Sequence, residues 1–191
     1  MGDLVEIRWH GRGGQGVVTA SQVLAEAALQ EDRHFQAFPE FGPERTGAPV
    51  RAFTRLSSSP IPLHCPVAHP DIAVVLDPTL LSVANLFEGL KEKGTVVINT
   101  PLAPRAVKER LPGRGRCKVV TVDATGIAME AFNRNMPNMP ILGALLRASP
   151  LVSKESCLRA LQERLGARLE TAVVEANAKA FERGYAEARI D

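Results

Sequence analysis

The residues whose types and spacing could do chemistry come early. Gly11, Gly13 and Gly16 satisfy G-x-G-x-x-G within the run Gly11-Arg12-Gly13-Gly14-Gln15-Gly16. Glycines there permit a tight turn and close backbone approach, and free N–H groups at the start of a following helix attract phosphate. Arg12 could add a charge-assisted contact. The same glycines also suit a turn that serves only helix–sheet packing, and the motif alone does not separate the two readings. A dinucleotide site needs an acid roughly 20 residues on, at the end of a second strand. Glu31 and Asp32 come before any plausible second strand, and Glu40 falls in a Pro-rich stretch read as a loop. A lysine-bearing P-loop is excluded, because the first lysine of the chain is Lys91.

The other reactive side chains form no constellation. His64, Cys65 and His69 match no common zinc spacing, and Pro66 and Pro70 mark a surface loop around them. Cys65, Cys117 and Cys157 are the only cysteines, spread far apart. They suggest neither a disulfide framework nor a zinc ribbon. A ferredoxin-type cluster needs four close-spaced cysteines, so this chain does not build one alone. Cys117 precedes an apolar strand and reads as a buried thiol. Ser21 and Ser82 lack a Gly-x-Ser-x-Gly elbow, so a hydrolase triad has no support. Phe35, Phe38 and Phe41 read as loop anchors or a subunit contact rather than a base-stacking platform. Arg45, Arg51 and Arg55 are candidate surface charges; on one strand, the even spacing of Arg51 and Arg55 puts both on one face.

The elements that must position the Gly-rich run follow from periodicity. Val5, Ile7 and Trp9 alternate with charged residues, predicting a strand that leads into the glycines. Val17, Ala20, Leu24, Ala27 and Ala28 predict a helix over 16–30. Residues 35–49, with three prolines and two glycines, read as a long shaped loop. Strands are expected at Val50 to Leu56, Ile72 to Leu76, Thr95 to Ile98 and Lys118 to Val122, the Ile72 run suiting a buried parallel strand. Pro78 is placed as the first residue of a helix running to Leu90, and a helix is expected from Asp123 to Asn133. Past Met139 the pattern is helical throughout: Ile141 to Ala148, Lys154 to Leu165, and Leu169 to Ala188 with Val173, Ala176, Ala180 and Tyr185 as its apolar face. The alternation predicts an α/β fold, an open, mostly parallel Rossmann-like sheet with helices on both faces. The chain reads as a single domain, with a sheet core over 1–135 and a helical C-terminal segment over 136–191 packed on it.

Composition narrows the function. With 191 residues, 45% of them hydrophobic, the chain is long enough for one sizeable core. Its net charge is only +2, and Arg114 and Arg116 around Gly115 are the nearest thing to a basic cluster. A nucleic-acid surface needs more. The first residues lack the apolar core of a signal peptide, and no run approaches the ~20 apolar residues of a membrane span. A cytoplasmic protein is expected.

Several runs together resemble one family. Gly11 to Gly16 followed by Val17-Val18-Thr19-Ala20 looks like the start of the gamma subunit of pyruvate (2-oxoacid):ferredoxin oxidoreductases. Phe41-Gly42-Pro43-Glu44-Arg45-Thr46-Gly47-Ala48-Pro49-Val50 resembles that family's second signature, and Asp71-Ile72-Ala73-Val74-Val75-Leu76-Asp77-Pro78 its third. Leu142-Gly143-Ala144 sits where the family carries a similar helix start. One departure is Thr46, where many members have arginine; Arg45 is adjacent.

The resemblance implies a subunit of an enzyme that oxidatively decarboxylates a 2-oxoacid with coenzyme A, giving acyl-CoA, CO2 and reduced ferredoxin. It implies alpha, beta and ferredoxin-like delta partners that carry the thiamine diphosphate, magnesium and iron–sulfur clusters. This chain has no Gly-Asp-Gly run followed by paired asparagines for thiamine-diphosphate magnesium. Its own role would be to assist coenzyme A binding through Gly11, Arg12, Gly13, Gly14, Gln15, Gly16 and Arg45. It would carry no catalytic group and no metal ligand, and would be inactive alone. A stand-alone NAD(P)-dependent dehydrogenase, resting on G-x-G-x-x-G, and a ligand-free scaffold subunit are the competing readings.

Overall fold

The structure, a computed structural model, describes residues 4–40, 48–82, 86–111 and 117–191. Arg45, most of the Phe41–Val50 signature, and Arg114 to Arg116 lie outside the described residues.

The described strands form one sheet, made by β1 (Val5–Arg12), β2 (His34–Glu40), β3 (Pro49–Ser57), β4 (Ile72–Val75), β5 (Thr95–Asn99), β6 (Lys118–Val122) and β7 (Arg189–Ile190), in the order β2-β3-β1-β4-β5-β6-β7. The centre, β1-β4-β5-β6, is parallel. Antiparallel pairs close both sides, β2 and β3 at one edge and β7 at the other. This is the open α/β sheet expected, parallel through its core. The central strands are apolar on both faces, as strands covered on both sides must be. Val97, Val120 and Val122 face one apolar cluster, and Val75, Val96, Ile98 and Val119 face the other.

The larger cluster lies under α1 (Val17–Leu29), α4 (Asn138–Ala148), α5 (Lys154–Gly166) and α6 (Thr171–Glu187). Trp9 is fully buried there, and its Nε1 donates to Thr54 Oγ1 at 3.0 Å. Thr54 Oγ1 in turn donates to Ser21 O at 3.2 Å, so one polar chain ties β1, β3 and α1 together inside the core. A buried indole N–H left unpaired would cost about 1–3 kcal/mol. The smaller cluster is covered by α2 (Pro104–Lys108) and by a 3-10 turn over Pro78–Ser82. The helix α3 (Ala124–Phe132) is capped by Asp123, whose Oδ1 accepts from Gly126 N–H at 2.9 Å, and ends on Asn133 at φ +53°.

Four expectations are corrected. Residues 34–40 are a strand rather than part of a loop, because Gln36, Phe38 and Glu40 alternate with Phe35, Ala37 and Pro39 against β3. Pro39 is tolerated because β2 is an edge strand with no ladder on its outer side. The helix placed from Pro78 is only the short 3-10 turn to Ser82 over the described residues. On α6 the buried residues are Val174, Asn177, Ala180, Phe181 and Gly184; of the expected face Ala180 is buried, Ala176 and Tyr185 are half-buried, and Val173 is exposed. Cys117 is half-buried rather than buried; the fully buried thiol is Cys157. Unexpected by sequence were α2 and β7, each too short to show a period.

Candidate functional site

In an open parallel sheet, ligands bind beyond the carboxyl ends of the strands. β1 and β4 are parallel neighbours, and Leu76 N–H donates to His10 O at 2.7 Å where they end together. The Gly-rich turn leaves β1 at this point. Gly13 N–H donates to Ala48 O and Gln15 N–H to Arg12 O, each at 3.2 Å, so the turn closes on itself and is tied to the start of β3. Gly14 at φ +92° and Gly16 at φ +77° adopt a left-handed conformation that side chains resist. A Cβ on Gly16 would also lie 2.6 Å from Asn138 Cγ.

Gly16 precedes α1 and provides no side-chain cap, and α1 has no acid in its first turn. The N–H groups of Val17, Val18 and Thr19 have no acceptor within the helix. The positive end of the helix dipole is therefore open to an anion.

Gln15 and Arg12 hold the turn rather than extending from it. Gln15 is 7% exposed. Its Oε1 accepts from Arg12 N–H at 2.8 Å, and its Nε2 donates to Asp77 Oδ2 at 2.8 Å. Arg12 Nε lies 3.3 Å from the same oxygen, and its guanidinium donates to Thr79 Oγ1 at 3.0 Å. Thr79 donates to Asp77 Oδ1 through both its N–H (2.9 Å) and its hydroxyl (2.5 Å). Burial pushes the Asp77 carboxyl up, but the Thr79 and Gln15 hydrogen bonds and the Arg12 charge together hold it below the usual range. Asp77 thus anchors the turn as a carboxylate, a role the sequence showed only as a strand end.

On the far side of β1, Arg8 and His10 share a face with Arg51 and Arg55 of β3. Arg8 Nε donates to His10 Nε2 at 3.2 Å. Burial first, then the Arg8 and Arg51 charges, lower the His10 pKa to about 3, so the ring is a neutral acceptor. Arg55 is 1% exposed and fully engaged, donating to Glu6, Gln36 and the Cys65 carbonyl. These arginines are internal braces and not free surface charges, Arg51 excepted, which pairs with Glu40 at 2.7 Å. Phe38 packs against Phe53 with the rings tilted by 46° and their centroids 5.3 Å apart. His64, Cys65 and His69 are exposed in the loop before β4, and among the described residues no group of three His, Cys, Asp or Glu could hold a metal ion.

The turn opens onto a cleft of about 1390 Å³. It is lined by the start of α1, the ends of β2 and β3, the segment joining α3 to α4, and residues at or near α5 and α6. Val17, Val18, Phe132, Leu169 and Val173 make it largely apolar, and Arg12 and Arg134 among its lining residues carry positive charge. Arg134 and Asn138 are cleft residues that sequence reasoning missed; neither sits in a motif, and only the fold brings Asn138 against Gly16 and Arg134 to the cleft. The exposed Val173 is explained here too, since it faces the cleft.

The topology argues against the dinucleotide reading. In a dinucleotide half the strand after the Gly-turn helix lies parallel beside β1, and its terminal acid meets the ribose. Here that strand is β2, two places away at the sheet edge; antiparallel β3 fills the place beside β1, and Glu40 is paired with Arg51.

Comparison with known proteins agrees. Residues 6–187 match the family described as pyruvate ferredoxin/flavodoxin oxidoreductase. The chain is 45% identical over 184 residues to pyruvate synthase subunit PorC of Thermotoga maritima, covering 96% of this chain and 94% of that one. It is 46% identical over 185 residues to the pyruvate/ketoisovalerate oxidoreductases common subunit gamma of Thermococcus kodakarensis, covering 95% and 96%. The crystal structure of the Thermotoga maritima PORC subunit superposes with a TM-score of 0.85 at 42% identity over 98% of both chains. A 2-oxoglutarate:ferredoxin oxidoreductase from Magnetococcus marinus, solved with 2-oxoglutarate, coenzyme A and succinyl-CoA, shares the fold over 96% of this chain and 30% of its own, with a TM-score of 0.75 at 22% identity. Among the described residues no helix is long and apolar enough to cross a membrane. The chain belongs to the pyruvate ferredoxin/flavodoxin oxidoreductase family, as one of its gamma subunits.

Proposed function

We propose that this gamma subunit contributes coenzyme A binding and assembly, and no catalytic group, to a multi-subunit 2-oxoacid:ferredoxin oxidoreductase acting on pyruvate or a related 2-oxoacid. It acts in the cytoplasm as a single domain. Thiamine diphosphate, magnesium and the iron–sulfur clusters belong to alpha, beta and ferredoxin-like delta partners. The carrying observation is the acid-free N-terminus of α1, without a side-chain cap, whose first residues line the large cleft. Backbone N–H groups and the dipole favour phosphate there. The cleft's apolar walls suit the uncharged part of a long ligand. Gly11 packs against Val17 and Leu76 and Gly16 against Asn138, where no side chain would fit, and Gln15 and Arg12, locked on Asp77, keep the turn in shape. Arg45, three residues before the cleft-lining Ala48 in the sequence, is proposed to add a cation.

The test replaces Gly14 with valine in the assembled complex. A Cβ on Gly14 meets nothing within 4 Å, so a side chain there obstructs only what approaches from outside, apart from the strain of its φ. The coenzyme A KM should rise by about tenfold, equivalent to ~1.4 kcal/mol of binding. An unchanged KM in an intact complex would favour a ligand-free scaffold.

A further inference from the structure

The chain closes one edge of its sheet and leaves the other open. At β6 the two-residue strand β7 pairs antiparallel, with Val120 opposite Ile190 and Thr121 opposite Arg189. Asp191 extends the seal: its N–H donates to Val119 O at 3.1 Å and its Oδ1 accepts from Val119 N–H at 2.6 Å. At the opposite edge β2 pairs only with β3 among the described strands. Open edges are normally blunted by lysine, proline or a bulge, because they template pairing with other chains. β2 has no lysine, and its one proline is Pro39, near its end.

The register shows which backbone groups stand free. Along a strand, alternate residues turn their N–H and C=O to opposite sides. Leu76 N–H donates to His10 O and Asp71 N–H to Glu6 O, so even-numbered residues of β1 bond β4 and odd-numbered ones bond β3. The odd-numbered ones lie opposite Val50, Ala52, Thr54 and Leu56, which leaves Arg51, Phe53, Arg55 and Ser57 to bond β2. Their partners there are Glu40, Phe38, Gln36 and His34. Phe35, Ala37 and Pro39 therefore turn their backbone groups off the sheet, and among the described residues nothing bonds them. Pro39 sits where a missing N–H breaks no bond to β3, and the N–H of Arg33 is taken by Ala28 O. The edge thus offers two donors, at Phe35 and Ala37. Their side chains share the α1 face with Leu56 and Thr54, and Phe35 is 37% exposed.

The shortness of this ladder identifies its occupant. Two residues bury far less than the roughly 1,200 Å² that holds two free proteins together, so the ladder alone does not hold a second copy. β7 shows when so short a ladder forms in this fold: it is tethered to the body through α6. A strand from a subunit already docked on this chain is tethered in the same sense, because its second contact is effectively intramolecular. Membership of the oxidoreductase family as a gamma subunit supplies such neighbours. We propose that the Phe35–Ala37 edge of β2 receives an extended segment of a partner subunit as a further strand. Two alternate side chains of that segment fall on the α1 face beside Phe35, and the one between them falls on the face of Gln36. The segment is therefore apolar–polar–apolar, with no proline at its two bonding positions. The proposal rests on assembly with partner subunits and not on the coenzyme A reading.

Hydrogen exchange at single-residue resolution tests this without a variant. In the free chain the Phe35 and Ala37 amides should exchange fast, and those of Gln36 and Phe38, which bond β3, slowly. In the assembled complex Phe35 and Ala37 should slow by about a hundredfold or more. Equally fast exchange in the complex overturns the proposal. Protection that is already present in the free chain and grows with its concentration also overturns it, and assigns the edge to a second copy. Ala37→Pro supplies the second arm, since it removes one outward donor and no bond to β3, as Pro39 does two residues on. The free variant should keep its Tm within roughly 2 °C. Its dissociation constant for the partner subunits should rise by about fivefold or more, the worth of at least one hydrogen bond. A stable variant that assembles with unchanged affinity overturns the docking. The complex formed at saturating variant should keep its coenzyme A KM, so failure of this site and failure of the coenzyme A reading are read separately.

Discussion

Replacing Gln15 with alanine tests whether the turn is held in shape from beneath. The side chain makes two bonds, accepting from Arg12 N–H and donating to the Asp77 carboxylate. The first is a neutral bond worth about 1 kcal/mol net, and the second, to a charged acceptor, about 1.5–3 kcal/mol. Gln15 is 7% exposed, so water replaces neither bond fully. Gln15→Ala should therefore destabilise the chain by about 3 kcal/mol. For a domain of this length that is a fall in Tm of roughly 6–12 °C. The assay is urea unfolding at neutral pH, where the midpoint should fall with the m-value unchanged. Gln15→Glu sharpens the test. It preserves volume but sets a carboxylate beside Asp77, so it should be the weaker variant at neutral pH and recover as acid protonates one of the pair. A Gln15→Ala loss below about 0.5 kcal/mol, the scatter of ordinary surface substitutions, would refute the brace.

Three further outcomes follow from the same geometry. His10 has a folded pKa of about 3 against an ordinary 6.5, so the unfolded chain takes its proton first and stability falls as pH drops below about 6.5. His10→Gln, which keeps an acceptor for Arg8, should flatten the stability–pH slope between about 6.5 and 4.5, measured by urea midpoints across that range. Asp77 is held below its ordinary 3.8, so its contribution is present above that value and lost as pH falls through the lower folded one. Asp77→Asn should lower stability at neutral pH and reduce the loss on acidification, read by thermal unfolding at pH 7 and pH 3. At the α4–α6 crossing, a Cβ on Gly184 would lie 2.5 Å from Pro140 Cα, backbone against backbone. Gly184→Ala should cost about 3 kcal/mol or more, detected as a lower Tm by calorimetry.

The parallel centre of the sheet was legible because β4, β5 and β6 are short apolar runs bounded by turn residues, the pattern of strands buried on both faces. The helix α1 was legible from the 3.6-residue spacing of Val17, Ala20, Leu24, Ala27 and Ala28. The edge strand β2 was not, because Pro39 and a half-polar alternation look like a loop until pairing with β3 supplies the missing hydrogen bonds. At the site, the turn itself was legible in Gly11 to Gly16. The anchoring of that turn was not, because Gln15, Arg12 and Asp77 meet only once β4 lies beside β1, and 62 residues separate Gln15 from Asp77. Asn138 was illegible for the same reason: its meaning is its contact with Gly16, made by the packing of α4 on α1.

The role of this chain is tested most directly by reconstitution. The proposed alpha, beta and delta partner subunits are assembled with and without it, and coenzyme A-dependent reduction of ferredoxin by pyruvate and related 2-oxoacids is measured beside the chain alone. The chain alone should show no turnover, and the partners should become active, or gain a low coenzyme A KM, only when the chain is added. Turnover by the purified chain, or partners equally active with the same coenzyme A KM in its absence, would contradict it.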